Sequence, residues 1–558
     1  MDSRLLLYCN TIRFLRPVQM AGQLVKPLVM KSAPSVKEYR GSVRKGLKTV
    51  IPVLDLDPEY LARFDLENLQ RSVFFLLNET HAVDISVWKA DASPLWNFHL
   101  HYFEYAIALA ARYSQTNDSR FYWKFRELVR GWIAANPAGR GDAWHPYTIS
   151  MRLPNWCICF DLFGGIFQQD DGFRDEVRQS MYAQYQVLLK RQELWQLGNH
   201  YLENLKTIVF CSCLFNEPAV LEPYTRRLLR EIEEEILPDG MHFERSLLYH
   251  KIVLEDMLRI AYWLKQTNRP QLRRLIPVIQ KMVSALASLE NGMGRTPLFN
   301  DAGDGSAKTS AALIRAAKEL FDLAPVLSDA FIHSGYYKIY DGSAALMFDA
   351  GEIGPPYMAG HGHCDCLSFE LSLGGEPLFV NSGTYAYQGP LRGYFRSTPA
   401  HNTLTIGGRE QSECWGEHRV ARRISHVRAE KSGQRIIGAY QNSHGDLHTR
   451  VVFLAGRSLS VLDATGTRPG QDVHSYLHIA PHFSLVPCGS LFQVMMEQAP
   501  VCTILAVDCT AVIRESGDIC CYSEQFGKLD RASVLDFRWK SDEKQHGFLV
   551  HFNPETGL

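Results

Sequence analysis

The side-chain period of this chain changes once, and that change limits what each half can fold into. Across 88–323 apolar residues recur at three- and four-residue steps. In 119–136 the positions Phe121, Phe125, Leu128, Val129, Trp132 and Ile133 form such a stripe, and Asp118 or Ser119 can cap its start. Similar stripes run through 100–109, 201–214, 228–236 and 252–264. Helices of ordinary length joined by short polar turns predict an all-helical layer packed on itself. From Ala344 onward short β-prone segments bounded by Gly, Asp, Asn or Pro take over, at 367–373, 403–406, 451–454, 459–462, 502–507 and 548–552. Their recurrence predicts a β-sandwich. At 558 residues the chain is too long for one core. The organisation expected is a lead-in over 1–85 packing on the helical domain, a helical domain over 86–330 and a sandwich over 331–558.

A formal net charge of -1 gives no reason to expect nucleic acid or an anionic membrane as partner, though it leaves a local basic cleft open. The apolar run 5–7 is bracketed by Arg4 and Arg13, and no small-residue cleavage site follows it. No uncharged apolar run reaches the roughly 18 residues of a membrane span. A soluble, cytoplasmic protein is expected, with export that needs no signal peptide left open. Thirteen cysteines include three pairs spaced two apart: Cys157 and Cys159, Cys211 and Cys213, Cys364 and Cys366. That spacing is too close for ordinary zinc motifs, and an odd, scattered count argues against a disulfide framework. Reduced, mostly buried thiols are the reading.

The block 360–403 concentrates three histidines, an aspartate and three tyrosines. His361, His363, Asp365, Leu367, Phe369, Leu371 and Leu373 share one parity, which on a strand places two histidines and a carboxylate on one face. Gly374 and Gly375 turn the chain, and 378–380 reads as the returning strand. Tyr385, Tyr387 and Tyr394 follow, then His401, Asn402 and Thr403. His363 and His401 suit zinc, with a third ligand from Asn381 or Asp365. In the helical half, Asn199 and His200 open an apolar-periodic run, where helix capping by Asn199 is the plain alternative. Tyr249 and His250 close the run ERSLLYH, which packing alone explains equally well. NDAGD at 300–304 reads as a carboxylate-bearing loop or as turn chemistry.

In order, NH at 199–200, DG with E and YH at 239–250, HGHCDCLSF at 361–369, SGTYAY at 382–387 and RSTPAHNT at 396–403 resemble the heparinase II/III family of polysaccharide lyases. The resemblance runs from about Trp88 past His401. It implies an incomplete α/α toroid followed by an antiparallel β-sandwich, and β-elimination at a uronic acid. That reaction needs donors aimed at the substrate carboxylate, a base for the C5 proton and an acid for the O4 leaving group. The resemblance assigns Asn199 and His200 to the carboxylate, and Tyr249 and His361 to the acid/base set. It adds a turn tyrosine, Tyr387 or else Tyr394. A tyrosine base would need nearby positive charge, from Arg392, Arg396 or His361. The family's zinc site maps to His363, Asn381 and His401, with Asn381 standing where the family usually has Asp. Zinc is therefore expected to bind more weakly, to recruit Asp365, or to be absent.

The substrate expected is a uronate-containing polysaccharide or oligosaccharide. Two other classes stay open: a glycoside hydrolase pairing Glu244 with Asp301 or Asp304, and a non-catalytic glycan-binding protein.

Overall fold

The computed structural model describes residues 3–31, 35–303 and 305–553. Its helical half is a double layer. The helices Glu104–Thr116, Pro146–Phe163, Gly198–Leu214 and Leu247–Gln266 pack side by side as an inner ring. Gly198–Leu214 is buried almost all round, which is why its sequence carries apolar residues on every face. Ser119–Ala135, Asp171–Lys190, Pro218–Glu235 and Leu272–Glu290 lie outside them, each with one buried stripe and one wet face. In Ser119–Ala135 the predicted stripe is buried, except that Ile133 is half-buried, and the Asp118 carboxylate caps the start by accepting from Arg120 N.

Helices continue to Phe321, and the first sandwich strand begins at Ala330. All three large sheets are antiparallel, as the sandwich expectation requires. A five-stranded sheet runs in sequence order from Ala330–Phe331 to Glu376–Phe379. An eight-stranded sheet is centred on Ser458–Gly466 and His546–Phe552, and a four-stranded sheet includes Leu404–Ile406 and Asp472–His478. One apolar core joins side chains of all three. Phe331, Tyr336, Ala345 and Met347 of the five-stranded sheet instead pack into the helical core, so this sheet is the hinge of the two halves.

The parity run from His361 is not a strand. Pairing starts only at Phe369, and Leu367 sits at φ 61°, outside extended backbone. The segment before it bonds elsewhere: Asp301 N donates to His361 O, His363 N to Asn300 Oδ1, and Cys364 N to Arg396 O. Buried Arg450 holds its end, donating to Leu367 O at 2.8 Å while paired with Asp463 at 2.7 and 2.9 Å. The three side chains therefore do not line one strand face: His361 reaches the cleft, whereas His363 and Asp365 are buried together. All thirteen cysteines are free, and the three close pairs are buried. No helix among the described residues is long and apolar enough to cross a membrane.

Candidate active site

A cleft of about 1400 Å³ lies between the helical half and the sandwich loops, and Asn199, His200, Tyr249, His361 and Tyr387 all line it. Two helix starts supply the first three. The chain enters Gly198–Leu214 through left-handed backbone at Leu197 (φ 63°) and Gly198 (φ 56°), a turn that favours glycine. A side chain at Gly198 would meet Met358 Cε at 2.1 Å. The first helical turn then presents Asn199 and His200 to the cleft. Asn199 does not cap the helix: the N-cap position is Leu197, and the Asn199 Oδ1 is buried without a partner. His200 Nδ1 lies 3.0 Å from Glu193 Oε1, and its ring packs on Tyr147. Burial opposes a charge on His200, but the carboxylates of Glu193, Glu244 and Glu203 lift its pKa above the ordinary value.

Ser246 caps Leu247–Gln266 and fixes Tyr249 in the first turn. The Tyr249 hydroxyl lies 3.2 Å from His361 Nε2 and 2.9 Å from the Tyr387 hydroxyl. The Tyr249 and His361 rings stack with centroids 4.2 Å apart. Behind them the carboxylate of Glu244, 1% exposed, contacts His361 Nδ1. Burial would raise Glu244, yet the facing imidazoles, His361 first, hold it below the usual carboxylate range. A carboxylate there accepts the hydrogen bond of Nδ1–H, which keeps the proton on Nδ1 and leaves Nε2 as an acceptor facing Tyr249. His250, the other half of the Tyr-His pair, is buried between His242 N and Met282 O and lies outside the cleft lining.

Positive charge does not offset burial at the phenols. Burial and then the neighbouring Tyr387 raise Tyr249, and burial and then Asp301 raise Tyr387. Arg392 lies 5.5 Å over the Tyr387 ring, but both its terminal nitrogens bind Asp301. Arg396 is turned away onto backbone carbonyls, with its Nε donating to Gly362 O at 3.1 Å. Arg392 thus favours the Tyr387 phenolate, but burial and the Asp301 carboxylate that the guanidinium pairs with outweigh it. Tyr394 is half-buried, its hydroxyl held by Ser382 and Ile519 O, and does not line the cleft, whereas Tyr387 does.

Beneath this layer, His363, Asp365 and His401 are buried and offer ligand atoms that all lie within 4.8 Å of one another. His363 Nε2 is 2.8 Å from Asp301, and its Nδ1 has no partner. His401 Nδ1 donates to Asn381 Oδ1 at 2.9 Å, and its Nε2 makes no hydrogen bond of normal geometry. Burial lowers both imidazoles, His363 to about 4, so both are neutral near pH 7. Neutral imidazoles with spare nitrogens beside a buried carboxylate fit zinc's preferred donors. Asn381, fully buried, supports His401 from behind, and the carboxylate of the group is that of Asp365.

Sequence spacing gave no sign of Glu193, 1% exposed, or of His418, whose ring lies 6.3 Å from that of His361. Their partners are reached only through the fold. The carboxylates of the hydrolase reading are out of position: Glu244 backs His361, Asp301 is shared by Arg392 and His363, and neither lines the cleft. Asp304 lies outside the described residues.

Residues 62–327 match the family model Heparinase II/III N-terminus, and residues 324–534 match Heparinase II/III-like, C-terminal. A heparin-sulfate lyase of Pedobacter heparinus is 25% identical over 346 residues, covering 55% of this chain and 51% of that one. A heparin-sulfate lyase of Bacteroides stercoris is 22% identical over 454 residues, 70% of this chain and 64% of that one. The chain thus spans between about half and two thirds of the length of these curated relatives. The crystal structure of heparinase III superposes with a TM-score of 0.65 at 16% identity, over 97% of this chain and 93% of that one.

Proposed function

The chain belongs to the heparinase II/III family of polysaccharide lyases, and from that premise we propose that it cleaves a uronate-containing glycan by β-elimination. The observation that carries this reading is the contact of one hydroxyl, that of Tyr249, with both His361 Nε2 and the Tyr387 hydroxyl inside the cleft. Elimination needs an acceptor and a donor close together, because the C5 proton leaves as the O4 bond breaks. His361, oriented by Glu244, is the acceptor. The phenols, kept neutral by burial, are the donors for O4.

On the helical wall, cationic His200 and the amide of Asn199 take the substrate carboxylate. Neutralising that carboxylate lets the C5 proton leave, since the charge that develops next to it is met by donors already in place. A zinc ion, held by His363, Asp365 and His401, would supply a fixed positive charge that orders the 360–368 loop. His361 would be positioned from that loop.

The test follows ultraviolet absorbance of the unsaturated product during incubation with a panel of uronate glycans. Wild type should give a rise that Tyr249→Phe and His361→Ala abolish with folding intact. Reducing ends released without a rise would move the assignment to hydrolysis. Binding with neither signal would leave a glycan-binding protein.

A further inference from the structure

The first two helices, Ser3–Ile12 and Pro17–Lys31, are built inside out. Pro17–Lys31 turns Gln19 and Gly22 inward. Gln19 donates to Gln196 O and Tyr357 O, and Gly22 sits so close that a Cβ would lie 2.9 Å from the Trp195 backbone. Its apolar residues face solvent instead: Leu24 is 80% exposed, Leu28 73%, and Val18 and Val25 are exposed to a lesser degree. Leu5, Leu6 and Ile12 of the preceding helix are about half exposed as well. Among the described residues, nine of the twenty-one large apolar side chains that stand exposed fall in 5–28, a concentration that scattered surface hydrophobics do not produce.

The pair of helices is held in place by specific contacts. Trp415 Nε1 donates to Thr11 Oγ1 at 3.0 Å, and Arg16 pairs with Glu234 while lying 3.7 Å over the Tyr357 ring. The outward apolar face is therefore a fixed feature of the fold.

Charge decides what covers it. Residues 3–31 contain Arg4, Arg13, Arg16, Lys26 and Lys31 and no Asp or Glu, in a chain whose net charge is -1. Arg4, Arg13 and Lys31 are exposed beside the apolar residues. Apolar side chains flanked by cations, with no carboxylate in the segment itself, match a lipid surface that is anionic at the headgroup and apolar beneath. At about 1.5 Å per residue, fifteen residues reach only about 22 Å, short of the roughly 30 Å hydrocarbon core, so the helix lies in the interface and does not span. We propose that the surface formed by Ser3–Ile12 and Pro17–Lys31 docks the protein on an anionic lipid bilayer. Thr11, Gln19, Gln23 and Lys26 also line the cleft, so docking sets the cleft mouth beside the membrane.

Co-sedimentation with vesicles of phosphatidylglycerol and phosphatidylcholine, against phosphatidylcholine alone, tests this on the full chain. Wild type should partition at least tenfold more strongly onto the anionic vesicles, and the preference should shrink with salt. Leu24→Glu with Leu28→Glu should lose it, with thermal unfolding and elimination on a soluble glycan unchanged, since both side chains are exposed and outside the cleft lining. Equal binding to both vesicles, or full binding by the double variant, overturns the proposal. A dimer in sedimentation velocity that the double variant dissolves assigns the face to a second copy and overturns it too. An Arg13→Glu, Lys31→Glu variant separates the charge from the apolar contribution: unchanged vesicle binding there also counts against an anionic surface.

Discussion

The carboxylate of Glu244 stands directly behind His361, on the imidazole nitrogen opposite the one that faces Tyr249. It fixes the tautomer with an acceptor nitrogen toward the cleft, and its charge stabilises the imidazolium formed when that nitrogen takes a proton. Glu244→Gln keeps the shape and removes both effects. We expect kcat to fall by roughly 10²–10⁴-fold, the range of a lost general base, with KM changed little. Steady-state elimination kinetics on the best substrate of the panel measure this. A variant with wild-type kcat would remove His361 from the acceptor role.

Tyr387 and Tyr394 are separated by their partners. The Tyr387 hydroxyl bonds Tyr249 within the cleft, and that of Tyr394 donates to Ile519 O at 2.8 Å away from it. Tyr387→Phe should lower kcat by roughly 10²-fold or more without a stability change. Tyr394→Phe should leave kcat/KM intact and cost about 1 kcal/mol of stability, the usual worth of one hydrogen bond. Parallel thermal melts and rate measurements on the two variants give opposite patterns, and a swap of those patterns would move the donor to Tyr394.

What could be read from the sequence was whatever repeats or recurs in a fixed order. The stripe of 119–136 needs only a 3.6-residue period, and its helix lies where the stripe predicts. The strands at 451–454 and 459–462 likewise fall inside Leu447–Ala455 and Ser458–Gly466. The run from His361 shows the limit. Alternation over a few residues also arises by chance, and the left-handed Leu367 that breaks it is a non-glycine residue with no local signal. Family resemblance pointed to Asn199, Tyr249 and His361 as cleft residues. It was silent on Glu193, which lies seven residues before His200 yet reaches it only because a tight turn precedes the helix. The lead-in over 1–85 reads as packing on the helical domain, but a whole-chain charge near zero hides that its stretch 3–31 holds five cations and no carboxylate.

The Glu193–His200 pair sets a pH dependence. The pKa of His200 is raised in the folded protein, so the charged pair is complete below its unfolded value near 6.5 and is lost as pH rises through the raised folded value. Binding of a substrate carboxylate should weaken over that same alkaline window, seen as an increase in KM. Glu193→Gln removes the leading carboxylate and should bring the rise in KM to lower pH, while His200→Ala should abolish it. A KM profile identical in wild type and Glu193→Gln would mean that His200 does not hold the substrate carboxylate.

The buried group beneath the cleft makes a prediction about which residues hold zinc. His363, Asp365 and His401 offer convergent ligand atoms, while Asn381 Oδ1 accepts from the far side of His401. If that division holds, Asp365→Asn removes a charged ligand and should cost the protein its zinc, measured as metal per chain after dialysis. Asn381→Ala removes only the support of a ligand, and such partners typically change affinity by roughly 10–100-fold. That variant should therefore still load zinc at high concentration and lose it to a competing chelator sooner than wild type. Chelation of wild type should lower the melting temperature, because His363 Nδ1 and His401 Nε2 are then left buried without partners. Zinc kept by Asp365→Asn but lost outright by Asn381→Ala would reverse the assignment and make Asn381 the third ligand despite its missing charge.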